Sequence, residues 1–278
     1  EISKVIKNNR LLPEYKEIYS HLLNKKNRRV IVTMDLYDQK PVLVQKGVVT
    51  QIHSDGDYKK AFEKISIFPD ILVVDLNGAI NNDRKNREII KELATNYYIH
   101  AGGGLRTLED VQDILESSAR RIAISSTTNK EFIDALPKDR LIVELSVNEL
   151  SEILIKGREH NTKIHIKDKL LELASLNVEV VSITFHHTEG LLASLPKQQI
   201  KEIMTYIPSS IKKLIIAGGI TNLDDLEFLW SYPKVIPQLG SAIWKETIHI
   251  SELYCSMFQD LETIPAIIQD IHGINKGL

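Results

Sequence analysis

The sequence predicts a single (β/α)8 barrel built from two duplicated half-barrels, with a short N-terminal helical extension. Three observations lead to this fold class: an internal repeat, eight alternations of strand-like and helix-like segments, and matched glycines and acids where strands end. Each half alone would leave open sheet edges, so the repeat favours one closed barrel over two separate domains. We expect residues 1–28 to form the extension and residues 29–278 to form the barrel domain.

The repeat is clearest in the segment Ile99 to Ser126, which reads as strand, glycine turn, helix, strand and small-residue turn. The same pattern returns 115 residues later in Ile215 to Ser241, without a gap. Upstream, Val30 to Gly47 matches Arg140 to Gly157. Each half therefore has an acid at the end of its first strand and glycines at the end of its third.

The hydrophobic periodicity predicts the elements in order. The segment LLPEYKEIYSHLL in the extension keeps a helical period, although the first ten residues fit a mobile tail equally well. Short apolar, β-branched runs are typical of parallel strands buried on both faces. The predicted strands are Val30–Leu36, Ile71–Leu76, Tyr97–Ala101, Arg121–Ser125, Leu141–Leu145, Val178–Phe185, Lys213–Ala217 and Val235–Leu239. The predicted helices are Tyr58–Ile67, Arg84–Ala94, Leu108–Glu116, Lys130–Leu136, Ile164–Leu176, Lys197–Tyr206, Leu223–Trp230 and Ile248–Gln259, with loops through Gly56 and over Ser146–Asn161.

Composition narrows the class of protein. The 278 residues are 43% hydrophobic and 26% charged, as in ordinary globular proteins, and the formal net charge of −2 gives no indication of nucleic-acid or membrane-surface binding. The single cysteine, Cys255, excludes an internal disulfide and favours a reducing compartment. No apolar run approaches the roughly 18 residues of a membrane span, and the first residues lack a signal-peptide core, so we expect a cytoplasmic protein.

Two glycine turns predict phosphate binding at the C-terminal ends of the strands, where active sites lie in this architecture. Glycine lets backbone N–H groups approach an oxyanion closely, and the helix that follows contributes its positive N-terminal end. The predicted phosphate ligands are Gly103, Gly104, Ser125 and Ser126 in the first half, and Gly218, Gly219, Gly240 and Ser241 in the second. Two such sites imply a small-molecule substrate phosphorylated at both ends; the alternative is that the glycines only relieve crowding at strand ends.

The repeat also pairs two acids, Asp35 and Glu144, at the ends of the first and fifth predicted strands. Carboxyl groups facing each other across the barrel mouth suit general acid–base catalysis, with one group protonating an oxygen while the other removes a proton from carbon. A structural role, such as pairing with a lysine or capping a helix, is the alternative for each.

Three further positions are candidates for substrate contact. Thr184 lies at the end of the sixth predicted strand and would hydrogen-bond the reacting atoms, and Asp75 lies at the end of the second and would orient a neighbour. Capping or core roles fit both equally well. Arg106, just after the first glycine turn, either reaches a phosphate or is solvated.

The pair His186-His187 does not predict a metal site. Adjacent residues of a strand point to opposite faces, and no other ligand has suitable spacing. We expect these histidines in a loop over the barrel mouth, with no metal or cofactor, and nothing in the sequence indicates a protein partner.

The motifs VVDLNGA (Val73–Ala79), GGGLR and AGGI, together with the half-barrel repeat, resemble the histidine-biosynthesis barrels, and within them most closely the ProFAR isomerase family. The likeness extends from about Val30 to Ser251. It implies an Amadori rearrangement of an aminoaldose to an aminoketose on a doubly phosphorylated phosphoribosyl substrate, without metal or cofactor. It also implies that Asp35 is the general base, that Glu144 replaces an aspartate as the general acid, and that Thr184 matches a catalytic threonine.

Four positions depart from the family pattern: Glu144 for aspartate, Arg158 for tryptophan, Leu43 for a basic residue, and Glu189-Gly190-Leu191 for Asp-Gly-Thr. All four lie on the acid itself or on loops that the resemblance places around the substrate. They motivate an alternative: a diverged paralogue that binds a phosphosugar or a partner protein, or acts on another sugar phosphate, without ProFAR isomerase activity.

Overall fold

The computed structural model describes residues 28–125, 129–155 and 160–258. These residues contain strands β1 (Ile31–Tyr37), β2 (Lys40–Gln45), β3 (Val48–Ile52), β4 (Ile71–Asp75), β5 (Ile99–Gly102), β6 (Arg121–Ser125), β7 (Leu141–Val147), β8 (Glu152–Ile155), β9 (His160–His165), β10 (Val180–Phe185), β11 (Lys213–Ala217) and β12 (Val235–Leu239). Eight of them pair in parallel in the order β10-β11-β12-β1-β4-β5-β6-β7, and β7 pairs with β10 to close the ring. The predicted (β/α)8 barrel is confirmed.

The helices follow the barrel strands along the chain, and the last two come after β12. They are α1 (Tyr58–Ile65), α2 (Leu76–Asn81), α3 (Arg87–Asn96), α4 (Leu108–Glu116), α5 (Lys130–Ala135), α6 (Ile166–Ser175), α7 (Lys197–Met204), α8 (Leu223–Trp230), α9 (Ser241–Trp244) and α10 (Ile250–Phe258). The sequence predicts α1, α3 to α8 and α10 to within a few residues. The predicted N-terminal helix lies outside the described residues.

Two β-hairpins replace the predicted loops, one in each half. β2 and β3 pair antiparallel with each other, and β2 pairs with β1; β8 and β9 do the same on β7. The β3 strand is almost wholly exposed, so it lacks the apolar alternation by which a strand is recognised. Its pairing with β2, rather than its own hydrophobicity, makes it a strand.

Strand alternation divides the core into two parts. Side chains such as Val32, Val143 and Ile183 point outward and pack against the helices. The barrel interior holds a separate apolar cluster, which we call the inner cluster: Ile31, Leu72, Ala123, Ile142, Val180, Ile215 and Ile236. The inner cluster fills the lower barrel, so the next inward-facing residues on each strand form the floor of any site above it.

The duplication is visible in how two helices begin. In α4, Thr107 accepts a hydrogen bond from the Asp110 backbone, and the Asp110 carboxylate accepts one from the Thr107 backbone, which is a capping box. In α8, Asn222 caps the Asp225 backbone in the same way. Because both aspartates also hold the backbone just after a glycine turn, the two halves fix these turns by the same device.

Within the described part of the chain, every helix is too short or too polar to cross a membrane.

Candidate active site

Asp35 and Glu144 face one cavity from opposite sides of the barrel. Asp35 lies near the end of β1 and Glu144 near the middle of β7, with three strands between them in either direction around the ring. Both side chains are half-buried and both line a cavity of about 160 Å³ at the C-terminal ends of the strands. The structure therefore brings together the two carboxyl groups that the repeat pairs in sequence.

Thr184 and the residues predicted to bind phosphate in the second half line the same cavity. Thr184 lies near the end of β10 and is only 9% exposed. Gly218 and Gly219 follow β11, while Gly240 and Ser241 follow the neighbouring β12. The four small residues thus form one wall of the cavity that contains the acids. A Cβ at Gly218 would overlap the Phe185 carbonyl oxygen, so close packing accounts for that glycine as well, and phosphate binding at this wall stays a prediction.

The first-half turn lies elsewhere. Gly103, Gly104 and Ser125 are not among the described residues that line this cavity, and Ser126 lies outside the described residues. Gly103 has a φ of +90°, and a Cβ there would overlap the Asp75 carbonyl oxygen. Close packing on the end of β4 therefore accounts for this glycine, and a phosphate role for the first half stays a prediction.

Asp75 belongs to a buried polar network that joins the ends of β1 and β4. Its Oδ1 accepts hydrogen bonds from the Gly78 N–H at 2.9 Å and from Asn86 Nδ2 at 2.6 Å. Asn86 Nδ2 also bonds Asn77 Oδ1 at 2.9 Å, and Asn77 Oδ1 accepts the Asp38 N–H at 2.7 Å. Burial raises the pKa of the Asp75 carboxyl. The bond from the Gly78 N–H caps α2, which is the capping role given as the alternative for Asp75. Asp75 is not among the described residues that line the cavity, so its contact with substrate stays a prediction.

Arg106 is bound to α2 and to the residue that follows it. Its Nε donates to Asn82 Oδ1 at 3.0 Å, and its Nη2 donates to the Ala79 carbonyl at 3.0 Å. The side chain is exposed but is not simply solvated, and it is not among the described residues that line the cavity. In this structure the guanidinium stabilises a short helix next to the first glycine turn.

Two segments that line the cavity also contact each other. Leu43 and Val44 of the first hairpin line it, as do Glu189, Gly190 and Leu192 after β10. The segments are joined by hydrogen bonds, because the Gly47 N–H donates to Glu189 Oε2 at 3.0 Å and the Lys46 N–H donates to the Glu189 carbonyl at 3.3 Å. We call this junction the latch.

Sequence reasoning missed several lining residues, among them Thr33, Gln238 and Trp244. Alternation along β1 and β12 would have indicated that Thr33 and Gln238 point inward, since Ile31 and Ile236 belong to the inner cluster. Trp244 carries no such signal. Its Nε1 donates to the Thr33 carbonyl at 2.8 Å, and its ring stacks on His53 with centroids 4.2 Å apart.

The described residues contain no group of three or more His, Cys, Asp or Glu side chains placed to hold a metal ion. His186 Nδ1 lies 3.8 Å from Glu189 Oε2, beside the latch.

Comparison with known proteins decides the family. The family described as "Histidine biosynthesis protein" matches residues 29–249, from just before β1 to just before α10. The chain belongs to the histidine biosynthesis protein family. This result confirms the resemblance carried by the glycine turns and the half-barrel repeat.

Relatives in this family share most of their length with the chain. The chain is similar to 1-(5-phosphoribosyl)-5-((5-phosphoribosylamino)methylideneamino)imidazole-4-carboxamide isomerases, which is the full name of ProFAR isomerase. An enzyme of Methanococcus maripaludis is 27% identical over 237 residues, covering 80% of this chain and 97% of the relative. An enzyme of Thermus thermophilus is 26% identical, covering 81% and 97%, and one of Methanococcus voltae is 24% identical, covering 80% and 95%.

Proposed function

We propose that this protein is a sugar-phosphate isomerase of histidine biosynthesis, which converts the aminoaldose ProFAR to its aminoketose by an Amadori rearrangement. The observation that carries the proposal is the pair of carboxyl groups, Asp35 and Glu144, facing one cavity from opposite strands. The names of the relatives supply the substrate, which carries two phosphoribosyl groups.

The reaction needs one proton donor and one proton acceptor. Glu144 donates a proton to the ring oxygen of the aminoaldose, the C1–O bond breaks, and an iminium forms at C1. Asp35 then removes the proton from C2, which leaves an enaminol. Reprotonation at C1 and loss of the O2 proton give the aminoketose, so no atom is gained or lost overall. Thr184 lines the same cavity as the two acids and would hydrogen-bond the reacting atoms.

Glu144 must hold a proton when the reaction begins. A bound phosphate dianion nearby favours the protonated form of a carboxyl group. The second-half residues Gly218, Gly219, Gly240 and Ser241 supply that anion site next to the acids. We assign the second phosphate of the substrate to the first half, at Gly103 and Gly104, where binding remains a prediction.

Substrate entry requires the latch to open. A cavity of about 160 Å³ is smaller than the roughly 300–1,000 Å³ typical of pockets for drug-sized ligands. The two segments meet at the latch, where Gly47 of the first hairpin bonds Glu189. Separation of the segments would admit the substrate, and their closure would exclude water. A free, doubly phosphorylated metabolite as substrate also agrees with a cytoplasmic location.

The test is a spectrophotometric assay of purified protein on ProFAR. Asp35→Asn and Glu144→Gln should each lower kcat by about 100-fold or more, the usual range for loss of a general acid or base. Asp134→Asn, on an exposed α5 carboxylate that lies outside the cavity, is the matched control and should retain full activity. Wild-type protein no faster than the Asp35→Asn/Glu144→Gln double variant would refute the proposal and favour the diverged paralogue.

A further inference from the structure

The floor of the cavity contains one amide group among the described residues that line it, the side chain of Gln238 on β12. Ile236, two residues earlier, belongs to the inner cluster, and alternation along the strand turns Gln238 to the same face. Gln238 therefore lies directly above the apolar interior, where it lines the cavity together with Asp35 and Glu144.

The side-chain oxygen of Gln238, Oε1, is buried and accepts no hydrogen bond from the described residues. By contrast, the buried Asn86 Nδ2 donates to three acceptors. Leaving a buried acceptor unpaired costs roughly 1–3 kcal/mol. Since Gln238 lines a ligand cavity and its oxygen has no protein partner, a bound ligand can supply that partner.

The position on the strand indicates which part of the ligand it meets. Gln238 precedes Gly240 and Ser241 on β12, and its register partner on β11 is Ala217, which precedes Gly218. A phosphate held by these two turns would place the carbons attached to it one step deeper in the barrel, beside Gln238. In a sugar phosphate those carbons carry hydroxyl groups, and an amide matches hydroxyls because it both donates and accepts.

We infer that Gln238 is a substrate-binding residue that recognises hydroxyl groups of the sugar whose phosphate occupies the second-half turns. The inference rests on the proposed function for the identity of that ligand as a sugar phosphate. It assigns to Gln238 the discrimination between a sugar phosphate and phosphate alone.

The experiment compares Gln238→Met with Gln199→Met, since methionine keeps the length of glutamine without its hydrogen bonds. Gln199 on α7 is the matched control, because its Nε2 donates to the Asn148 carbonyl and to Ser151 Oγ, both at 2.9 Å, away from the cavity. Titration calorimetry with ribose 5-phosphate and with inorganic phosphate measures affinity, and thermal unfolding without ligand measures stability.

Gln238→Met should weaken ribose 5-phosphate binding about 3- to 10-fold, as expected for one or two lost neutral hydrogen bonds, and leave phosphate binding unchanged. The Tm without ligand should stay equal or rise, because an apolar side chain replaces a buried amide whose oxygen is unpaired. Gln199→Met should lower the Tm and leave both affinities unchanged.

A lower Tm in Gln238→Met with both affinities unchanged would overturn the inference, since it would indicate a structural amide. Wild-type protein that binds ribose 5-phosphate no better than phosphate, or binds neither, would also overturn it. Failure of the proposed function is a separate result. If wild-type protein is inactive on ProFAR but prefers ribose 5-phosphate to phosphate, and Gln238→Met abolishes that preference, the role of Gln238 is supported and the isomerase activity is rejected.

Discussion

Asp70 is expected to stabilise the end of the barrel opposite the cavity, because its buried carboxylate pairs with two arginines. It precedes β4 and its side chain is fully buried. Arg29 Nε donates to Oδ2 at 3.0 Å and Arg29 Nη2 to Oδ1 at 2.7 Å, while Arg120 Nη1 donates to Oδ1 at 2.6 Å. His100 Nε2 lies 3.4 Å from the same Oδ1. One carboxylate thus compensates two guanidinium groups, which come from the residues just before β1 and β6.

The Asp70→Asn variant removes that charge while keeping the shape of the side chain. Burial alone would raise the pKa of the Asp70 carboxyl, but Arg29, His100 and Arg120 together hold it well below its ordinary range, so the group is ionised at neutral pH. Breaking a buried ion pair from one side costs about 3–5 kcal/mol. For a domain of this size that corresponds to a fall in Tm of about 6–20 °C.

Thermal unfolding followed by circular dichroism measures the fall, and Asp113→Asn is the matched control. Asp113 binds Lys91 Nζ at 2.7 Å and lies 3.5 Å from Arg87 Nη1, but it is 38% exposed and Arg87 keeps a second carboxylate, Asp110. Its loss should therefore cost less than about 1 kcal/mol. Because Asp70 lies far from the cavity end of the strands, kcat/KM of the folded Asp70→Asn protein should match wild type. A Tm unchanged from wild type would refute the reasoning, as would the expected Tm shift accompanied by a large loss of kcat/KM.

Two further predictions follow from other parts of the structure. Burial lowers the pKa of His100 to about 4. Burial together with the nearby charge of Lys64 lowers the pKa of His53 to about 4. Between pH 6.5 and 4 these two histidines therefore bind protons in the unfolded chain but not in the folded protein. The free energy of unfolding from urea titrations should therefore fall as the pH falls from 6.5 to 4, and a flat profile would contradict it. Gly190→Ala should raise KM or lower kcat by about 10- to 100-fold, because a Cβ there overlaps the Val44 carbonyl oxygen and separates the latch. Gly56→Ala is the control, because Gly56 has a similar positive φ but a Cβ there would make only ordinary contacts. That variant should lose stability without the loss of activity. If the two variants have equal kinetics, the latch has no part in the mechanism.

The fold and the acid pair were predictable because both depend on patterns that a sequence displays. Apolar residues that recur every two positions indicate the buried face of a strand, and those that recur every 3.6 positions indicate the buried face of a helix. The repeat places Asp35 and Glu144 at matching strand ends. In a closed barrel, strand number and strand end suffice to bring such residues to one cavity. The hairpins were missed for the converse reason, since β3 is exposed and its strand character comes from pairing with β2.

The sequence by itself determined the barrel, its duplication, and the opposition of two carboxyl groups beside a small-residue wall, because burial and repeat spacing are properties of the linear chain. Tertiary structure alone decided that Gly103 packs against β4, that Arg106 binds α2, and that Gln238 and Trp244 join the cavity lining. These outcomes depend on contacts between residues distant along the chain, set by strand register and loop closure, which leave no periodic signal in the sequence.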